Sequence, residues 1–398
     1  MKFSSKVEKC GLSPMRKFHP YAVAAEAKGK KIYHLNIGQP DVETPKQFFD
    51  TIREFNQPVL EYAPSPGMPV LIDAIQKYYD DLDMHFEKDE ILITTGGSEA
   101  LQIVLECILD DGDEILIPEP FYPNYNTMVR TCGASIHPIP TSPHQGYRYA
   151  DRARIEAEIN EHTRAIVCTN PGNPTGVVLT PEEMRMLVDV AKEHGLFIIG
   201  DEAYREFVYA GEPLQSMGQF ADAAENVIVI DTVSKRFSAC GARVGILVSR
   251  NRELMAQALK ICQGRLCAAT LDQLGAAALY GVGSDYFSAV REEYHRRRDT
   301  CMEGLSQIPG VVCECPKGAF YLMAKLPVDD TDKFQTWLLE EFQDNGETVM
   351  FAPGEGFYGT PGKGRDEVRL AYILKQADLR RAMEVLAHGI EAYNSRKL

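Results

Sequence analysis

Between about residues 90 and 250, short apolar, β-branched runs alternate with amphipathic helical segments, which predicts an α/β fold with a mainly parallel sheet sandwiched by helices. Two further observations refine this. After Pro309-Gly310 the pattern changes to strand-like pieces and one long amphipathic helix, which predicts a smaller α+β unit. The apolar runs are also followed by Gly-, Pro- or Asn-containing stretches, so polar side chains are offered at strand ends, where α/β folds bind ligands. The expected organisation is an N-terminal arm and part of the small domain over 1–45, a large domain over 46–285, and a small C-terminal domain over 286–398.

In chain order, residues 1 to about 30 read as an arm, leading into Ile32 to Pro40. Thr44-Pro45-x-Gln47 supplies a capping residue, a proline at the first helical position and a reciprocal Gln, which predicts a helix start. Glu61 to Gly67 is too rich in Pro and Gly to be regular and is expected to be a loop. Ile91 to Thr94 is a strand, Gly96 to Glu99 a turn, and Ala100 to Leu109 a helix. Further strands are expected at Glu114 to Ile117, Ala165 to Cys168, Leu196 to Ile199, Val227 to Ile230 and Gly245 to Val248. Thr180-Pro181-Glu182-Glu183 opens a capped helix that Gly195 closes. Helix follows helix from about 251 to 307. The tail has strand-like pieces at Val311 to Cys315, Phe320 to Ala324, Thr348 to Phe351 and Val368 to Ile373. A helix over Ala377 to Tyr393 then carries Leu379, Met383, Leu386 and Ile390 on one stripe.

With 398 residues, 44% hydrophobic and 25% charged, the chain has ordinary globular proportions. A net charge of −15 argues against nucleic acid or an anionic membrane as the main partner, although a local Arg/Lys cluster can still hold a small anion. No apolar run reaches the ~18 to 20 residues a membrane span needs. Met1 to Met15 lacks the apolar stretch of a secretory signal. Ten scattered cysteines read as reduced thiols of a cytoplasmic protein, and no Cys-x-x-Cys or His-Glu-x-x-His pattern suggests a metal.

The chemistry concentrates at strand ends. Ile228 to Asp231 reads as a buried strand, after which Ser234 and Lys235 enter the crevice. A lysine amine there can form a Schiff base with a carbonyl, and Arg243 adds charge and a forked donor for a phosphate. Gly96-Gly97-Ser98-Glu99 lies between a strand and a helix, where free N–H groups suit a phosphate; such turns also occur where nothing binds. Tyr122 follows another strand and can stack on a planar ring. Asn170-Pro171-Gly172-Asn173-Pro174-Thr175-Gly176 is more particular, because a plain turn needs no second Asn after the first Pro-Gly. Asp201 ends an apolar strand, and burying its carboxylate calls for a cationic partner such as a protonated ring nitrogen.

Asn173-Pro174-Thr175-Gly176, Asp201-Glu202-Ala203-Tyr204, Ser234-Lys235 and Arg243, in this order, resemble the pyridoxal-5′-phosphate-dependent aminotransferases of the aspartate aminotransferase superfamily, fold type I and class I/II. The resemblance runs from Ile37-Gly38-Gln39-Pro40 to Arg369. It implies a seven-stranded sheet in a large cofactor domain and gives each residue a role. Lys235 would hold the cofactor as a Schiff base and shuttle the α-proton, and Asp201 would keep the pyridine nitrogen protonated. Asn173 and Tyr204 would bond the ring hydroxyl oxygen, and Tyr122 would stack on the ring. Ser98, Glu99 through its backbone N–H, Ser234 and Arg243 would grip the phosphate, with Tyr62 reaching it from a second subunit of a homodimer. Arg369 would take the substrate α-carboxylate, with Gly38 adding a backbone contact.

The expected reaction is a ping-pong transfer of an amino group from an amino acid to a 2-oxo acid such as 2-oxoglutarate. A β-elimination lyase or a decarboxylase on the same scaffold would use the same residues. A cofactor-binding transcriptional regulator would need a winged-helix segment, for which motifs beginning at Ile37 leave no room. Some family members acting on dicarboxylic acids carry a basic residue in the Gly-Gly turn, where this chain has Ser98. A distal-carboxylate arginine supplied by the partner subunit is another route, for which Arg16, Arg265 and Arg296 are the candidates, although each also reads as an ordinary solvated side chain.

Overall fold

The structure is a computed structural model, and it describes every residue except 210, 212–214 and 397–398. Its strands begin with β1 (Lys31–His34), β2 (Ile91–Thr94), β3 (Glu114–Pro118), β4 (Ser135–Ile139), β5 (Thr163–Thr169) and β6 (Phe197–Asp201). They continue with β7 (Val227–Thr232), β8 (Gly245–Val248), β9 (Tyr321–Lys325), β10 (Glu347–Met350), β11 (Ala352–Pro353) and β12 (Glu367–Ala371).

β2 to β8 form a seven-stranded sheet in the order β2-β8-β7-β6-β5-β3-β4. β8 is antiparallel to both β2 and β7, and the other pairings are parallel. A strand antiparallel to both neighbours leaves those neighbours pointing the same way. The carboxyl ends of β2, β3, β5, β6 and β7 therefore meet at one edge, where such sheets bind ligands. The strands are covered on both faces, which is why Val227-Ile228-Val229-Ile230 is uniformly apolar instead of alternating. Leu71, Ile75, Val188 and Phe237 pack on one face; Ala100, Val104, Leu254 and Ala258 pack on the other. Each fully buried Leu or Ile contributes roughly 1.5–3 kcal/mol, so both helical layers are needed to hold the sheet.

A second unit is built on an antiparallel sheet ordered β11-β12-β9. The N-terminal segment returns to it: β1 runs parallel to β10, with Tyr33 opposite Val349. Leu35 N–H then donates to Met350 O at 2.7 Å, and Ala371 N–H donates to Leu35 O at 2.8 Å. This fixes Leu35 between β10 and the end of β12. The helix Gln376–Ser395 buries Leu379, Met383, Leu386 and Ile390, the stripe expected from its spacing.

Two local expectations change, and one strand is added. The helix after Thr44 starts at Lys46, and Thr44 does not cap it; its hydroxyl instead donates to Ser238 O at 2.7 Å, pinning this segment to the loop after Lys235. Val311 to Cys315 is no strand: Val312 alone bridges Lys325, before Pro316 removes a donor. Ser135–Ile139 is a strand the apolar pattern does not announce, because Pro138 and His137 interrupt it. It lies at the sheet edge, where a proline can sit without removing a ladder bond.

Candidate active site

At the carboxyl end of β7, Thr232 Oγ1 accepts from Ser234 N–H at 3.1 Å and closes a one-turn helix, Val233–Arg236. The turn aims Lys235 into the cleft, where its Nζ donates to Gly38 O at 3.2 Å and lies 3.7 Å from Cys240 Sγ. Behind it Asp231 is fully buried and accepts from Arg236 Nη2, Thr232 N–H and Tyr79 OH, with Arg205 Nη1 at 3.5 Å. Burial would raise its pKa, but Arg236 and Arg205 outweigh that and hold the carboxyl below its usual range. Lys235 is thus mounted between residues of a buried ion cluster.

At the end of β2, Gly96 has φ +83°, and a Cβ there would lie 2.4 Å from Arg243 Nη2. Only glycine lets the guanidinium lie against this turn. Gly97 opens the helix Gly97–Ile108, whose first N–H groups have no intrahelical acceptor. Arg243 donates to Cys240 O and Thr95 O and has no carboxylate partner among the described residues. With Ser98 and Ser234 it forms a cradle for an anion.

The ends of β5 and β6 carry Asn173 and Asp201. Asp201 Oδ2 accepts from Tyr125 OH at 2.6 Å and Oδ1 from Ala203 N–H at 3.2 Å. No cation pairs with it among the described residues. Burial raises its pKa against the lowering effect of these two bonds. Tyr204 OH lies 3.0 Å from Tyr321 OH, and burial pushes its pKa well above that of an ordinary phenol. Arg369, from β12, is 1% exposed and sits over the Tyr321 and Phe357 rings at 4.4 and 5.0 Å. Its Nη1 donates to Asn173 Oδ1 at 3.1 Å and its Nη2 to Asn36 O at 2.7 Å, while Nε is buried without a partner.

One cavity of about 420 Å³ is lined by Gly38, Ser98, Tyr122, Asn173, Asp201, Tyr204, Ser234, Lys235, Arg243 and Arg369. Two expected residues do not line it. Glu99 N–H donates to Gly96 O, and its side chain faces away to Arg265 at 2.6 Å. Tyr62 is 81% exposed on the loop before helix Pro69–Asp80. Of the candidate arginines, Arg265 is engaged by Glu99, and Arg296 pairs with Glu292 and Glu293 at the surface. Arg16 lines the cavity. Tyr125, Thr169, Cys240 and Tyr321 also line the cavity and are not site candidates from the sequence alone. Tyr125 and Thr169 had a signal, since both adjoin motifs already singled out; Tyr321 had none, because only tertiary packing brings β9 to the cleft.

The chain matches the family model for aminotransferase class I and II over residues 30–386. It belongs to the class I and II aminotransferases. The aspartate aminotransferase of Bacillus subtilis is 31% identical to this aminotransferase over 99% of this chain and 100% of its own. A probable aspartate/prephenate aminotransferase of Aquifex aeolicus is 30% identical over 98% of each. Among solved structures, a single mutant of Thermus thermophilus aspartate aminotransferase superposes with a TM-score of 0.89 at 28% identity, covering 98% of this chain and 100% of that one. An alanine aminotransferase from Pyrococcus furiosus gives 0.90 at 27% identity with the same coverage. The lyase and regulator alternatives are not favoured by these relatives. The cofactor of this aminotransferase is pyridoxal 5′-phosphate, and the cavity suits it. A buried carboxylate lacking a cation matches a protonated ring nitrogen, and the glycine-lined cradle at Arg243 matches a phosphate.

Proposed function

We propose that this cavity exchanges the amino group of a dicarboxylic amino acid, aspartate or glutamate, with a 2-oxo acid. When bound, pyridoxal phosphate supplies an electrophilic carbon and a ring that accepts the electrons released on breaking the Cα–H bond. Ser98, Ser234 and Arg243 would hold the phosphate, Tyr122 would stack on the ring, and Asn173 and Tyr204 would hydrogen-bond the ring oxygen. Asp201 holds the ring-nitrogen proton. Lys235 Nζ, which lies in the cavity beside Gly38 O, would accept the substrate Cα proton and then give it up again as an ammonium, acting as general base and then general acid. Arg369 fixes the α-carboxylate, and the Gly38 backbone closes the site over it.

The observation that carries the substrate class is Arg16, which lines the same cavity as Arg369 and has no anionic partner among the described residues. Three arginines line this cavity; with Arg243 on the phosphate, Arg16 and Arg369 are left for two carboxylates. The relatives named for aspartate point the same way, while the alanine aminotransferase shows that the fold alone does not decide. The test is conversion of the bound cofactor to its amine form, read by absorbance across a panel of amino acids. Aspartate and glutamate should far outpace alanine, and Arg16→Met should erase that preference while leaving alanine unchanged. Equal rates for alanine and aspartate in the unaltered enzyme would sink the dicarboxylate reading. Failure of Lys235→Ala to stop conversion would sink the lysine assignment.

The site is completed in a homodimer. Val59, Leu60 and Tyr62 are exposed together on one loop, at 62%, 58% and 81%, which suits a segment covered by a second copy. Tyr62 would then reach the partner's phosphate cradle. Sedimentation should give a dimer, and Tyr62→Phe should weaken cofactor binding; a monomer with full activity would overturn this.

A further inference from the structure

Asp201 is held from behind as well as open to the cavity in front. Tyr125, from the helix Asn124–Thr131, is 1% exposed and packs edge-on against Tyr122 with ring centres 6.0 Å apart. Its hydroxyl lies 2.6 Å from Asp201 Oδ2 and 3.1 Å from Thr169 Oγ1. A phenol has one proton to give, and an ionised carboxylate can only accept. Tyr125 therefore donates to Asp201, and Thr169 must donate to Tyr125. The donor order runs from the end of β5, through the helix after β3, to the end of β6.

The surroundings make this chain matter. Burial works against a charge on Asp201, and the nearby carboxylates of Asp231 on β7 and Glu202 after β6 add repulsion. Arg205 and Arg236 are committed to those two carboxylates. The remaining neighbour on the Tyr125 side is Tyr122, a neutral phenol whose pKa burial raises. Among the described residues, only Tyr125 OH and Ala203 N–H donate to this carboxylate. A hydroxyl bonded to a carboxylate at this distance falls in the range of charge-assisted bonds, roughly twice as strong as neutral ones.

We propose that Tyr125, oriented by Thr169, is a positioning residue that fixes Asp201 as an aimed anion and so keeps the proton on the cofactor's ring nitrogen. This rests on the reading that Asp201 faces that nitrogen. Without the phenol the carboxylate becomes more basic, and the shared proton moves from nitrogen to oxygen. The ring then withdraws electrons less strongly. Tyr125 touches no reacting atom, so its effect is transmitted wholly through Asp201.

The test loads the full-length enzyme with pyridoxal phosphate labelled with ¹⁵N in the ring and reads the nitrogen chemical shift, together with cofactor affinity by equilibrium dialysis. Tyr125→Phe should move the shift toward that of a neutral pyridine and weaken affinity about tenfold. Thr169→Val should move both in the same direction by less, and Thr169→Ser should restore them. Asp201→Asn separates the two claims. If it leaves the nitrogen signal unchanged, the assignment of Asp201 to the ring nitrogen is wrong. If it shifts the signal while Tyr125→Phe keeps unaltered values, the Tyr125 proposal alone is overturned. Should Tyr125→Phe not fold, unaltered values in Thr169→Val overturn it equally.

Discussion

Arg369 Nη2 donates to the backbone carbonyl of Asn36 at 2.7 Å, which joins β12 of the small sheet to the segment that crosses toward Lys235. The same guanidinium reaches Asn173 in the loop after β5, so one side chain spans both structural units across the cavity. A lysine has a single nitrogen and cannot serve two acceptors and a carboxylate in one plane. Arg369→Lys should raise the amino-acid KM on the order of a hundredfold with a smaller loss in kcat, as expected when binding geometry is lost. Steady-state kinetics would show it, and a KM within twofold of the original would contradict the assignment.

Gly96 faces Arg243 so closely that a methyl group would sit 2.4 Å from Nη2, and its φ of +83° is one that L-residues seldom adopt. Gly96→Ala should displace the guanidinium and strain the turn by about 1 kcal/mol or more. Cofactor affinity should fall while the apoenzyme stays folded. Thermal unfolding with and without pyridoxal phosphate checks this, because the stabilisation gained from the cofactor should shrink. An unaltered gain would remove Arg243 from the cradle.

Much of this site could be read without coordinates, for a physical reason. Lys235, Asp201 and Asn173 each follow a fully apolar run, so the strand that buries them also locates them at one sheet edge. What was illegible depends on long-range packing. Tyr321 and Phe357 flank Arg369 only because β9 and the turn after β11 pack beside β12. The edge strand Ser135–Ile139 lacks an apolar run because its place at the sheet edge leaves it partly exposed. Glu99 lay in a readable motif, but the first helical turn used its N–H and pointed its carboxylate toward Arg265.

Glu367, two positions before Arg369, is buried and accepts from Tyr358 OH at 2.7 Å and Tyr147 OH at 2.8 Å. Burial raises its pKa, outweighing the two phenols. A carboxyl whose folded pKa is raised favours the folded state while protonated. That stability is complete below the unfolded pKa and is lost as pH rises through the folded one. Glu367→Gln is neutral throughout. The melting temperature of the unaltered enzyme relative to this variant should fall as pH climbs from the ordinary glutamate range. A difference that does not vary with pH would refute the shift.

Asp231 shows the opposite sign. Burial alone would raise its pKa, but Arg236 and Arg205 lower it, so its charge stabilises the fold above the unfolded pKa and ceases to do so as pH falls through the folded one. Arg236 Nε and Nη1 and Arg205 Nη1 already lack hydrogen-bond partners, so removing the carboxylate leaves two buried guanidiniums under-compensated. Asp231→Asn should cost about 3–5 kcal/mol at neutral pH, the range found when one member of a buried pair is removed. Asp231→Asn combined with Arg236→Met removes both charges and should recover part of that loss. The deficit of the single variant should also narrow in acid, where the unaltered enzyme surrenders the same charge. Denaturant midpoints across pH measure all three comparisons. If the single variant is as stable as its parent at neutral pH, the ion cluster beside Lys235 is not what anchors that turn.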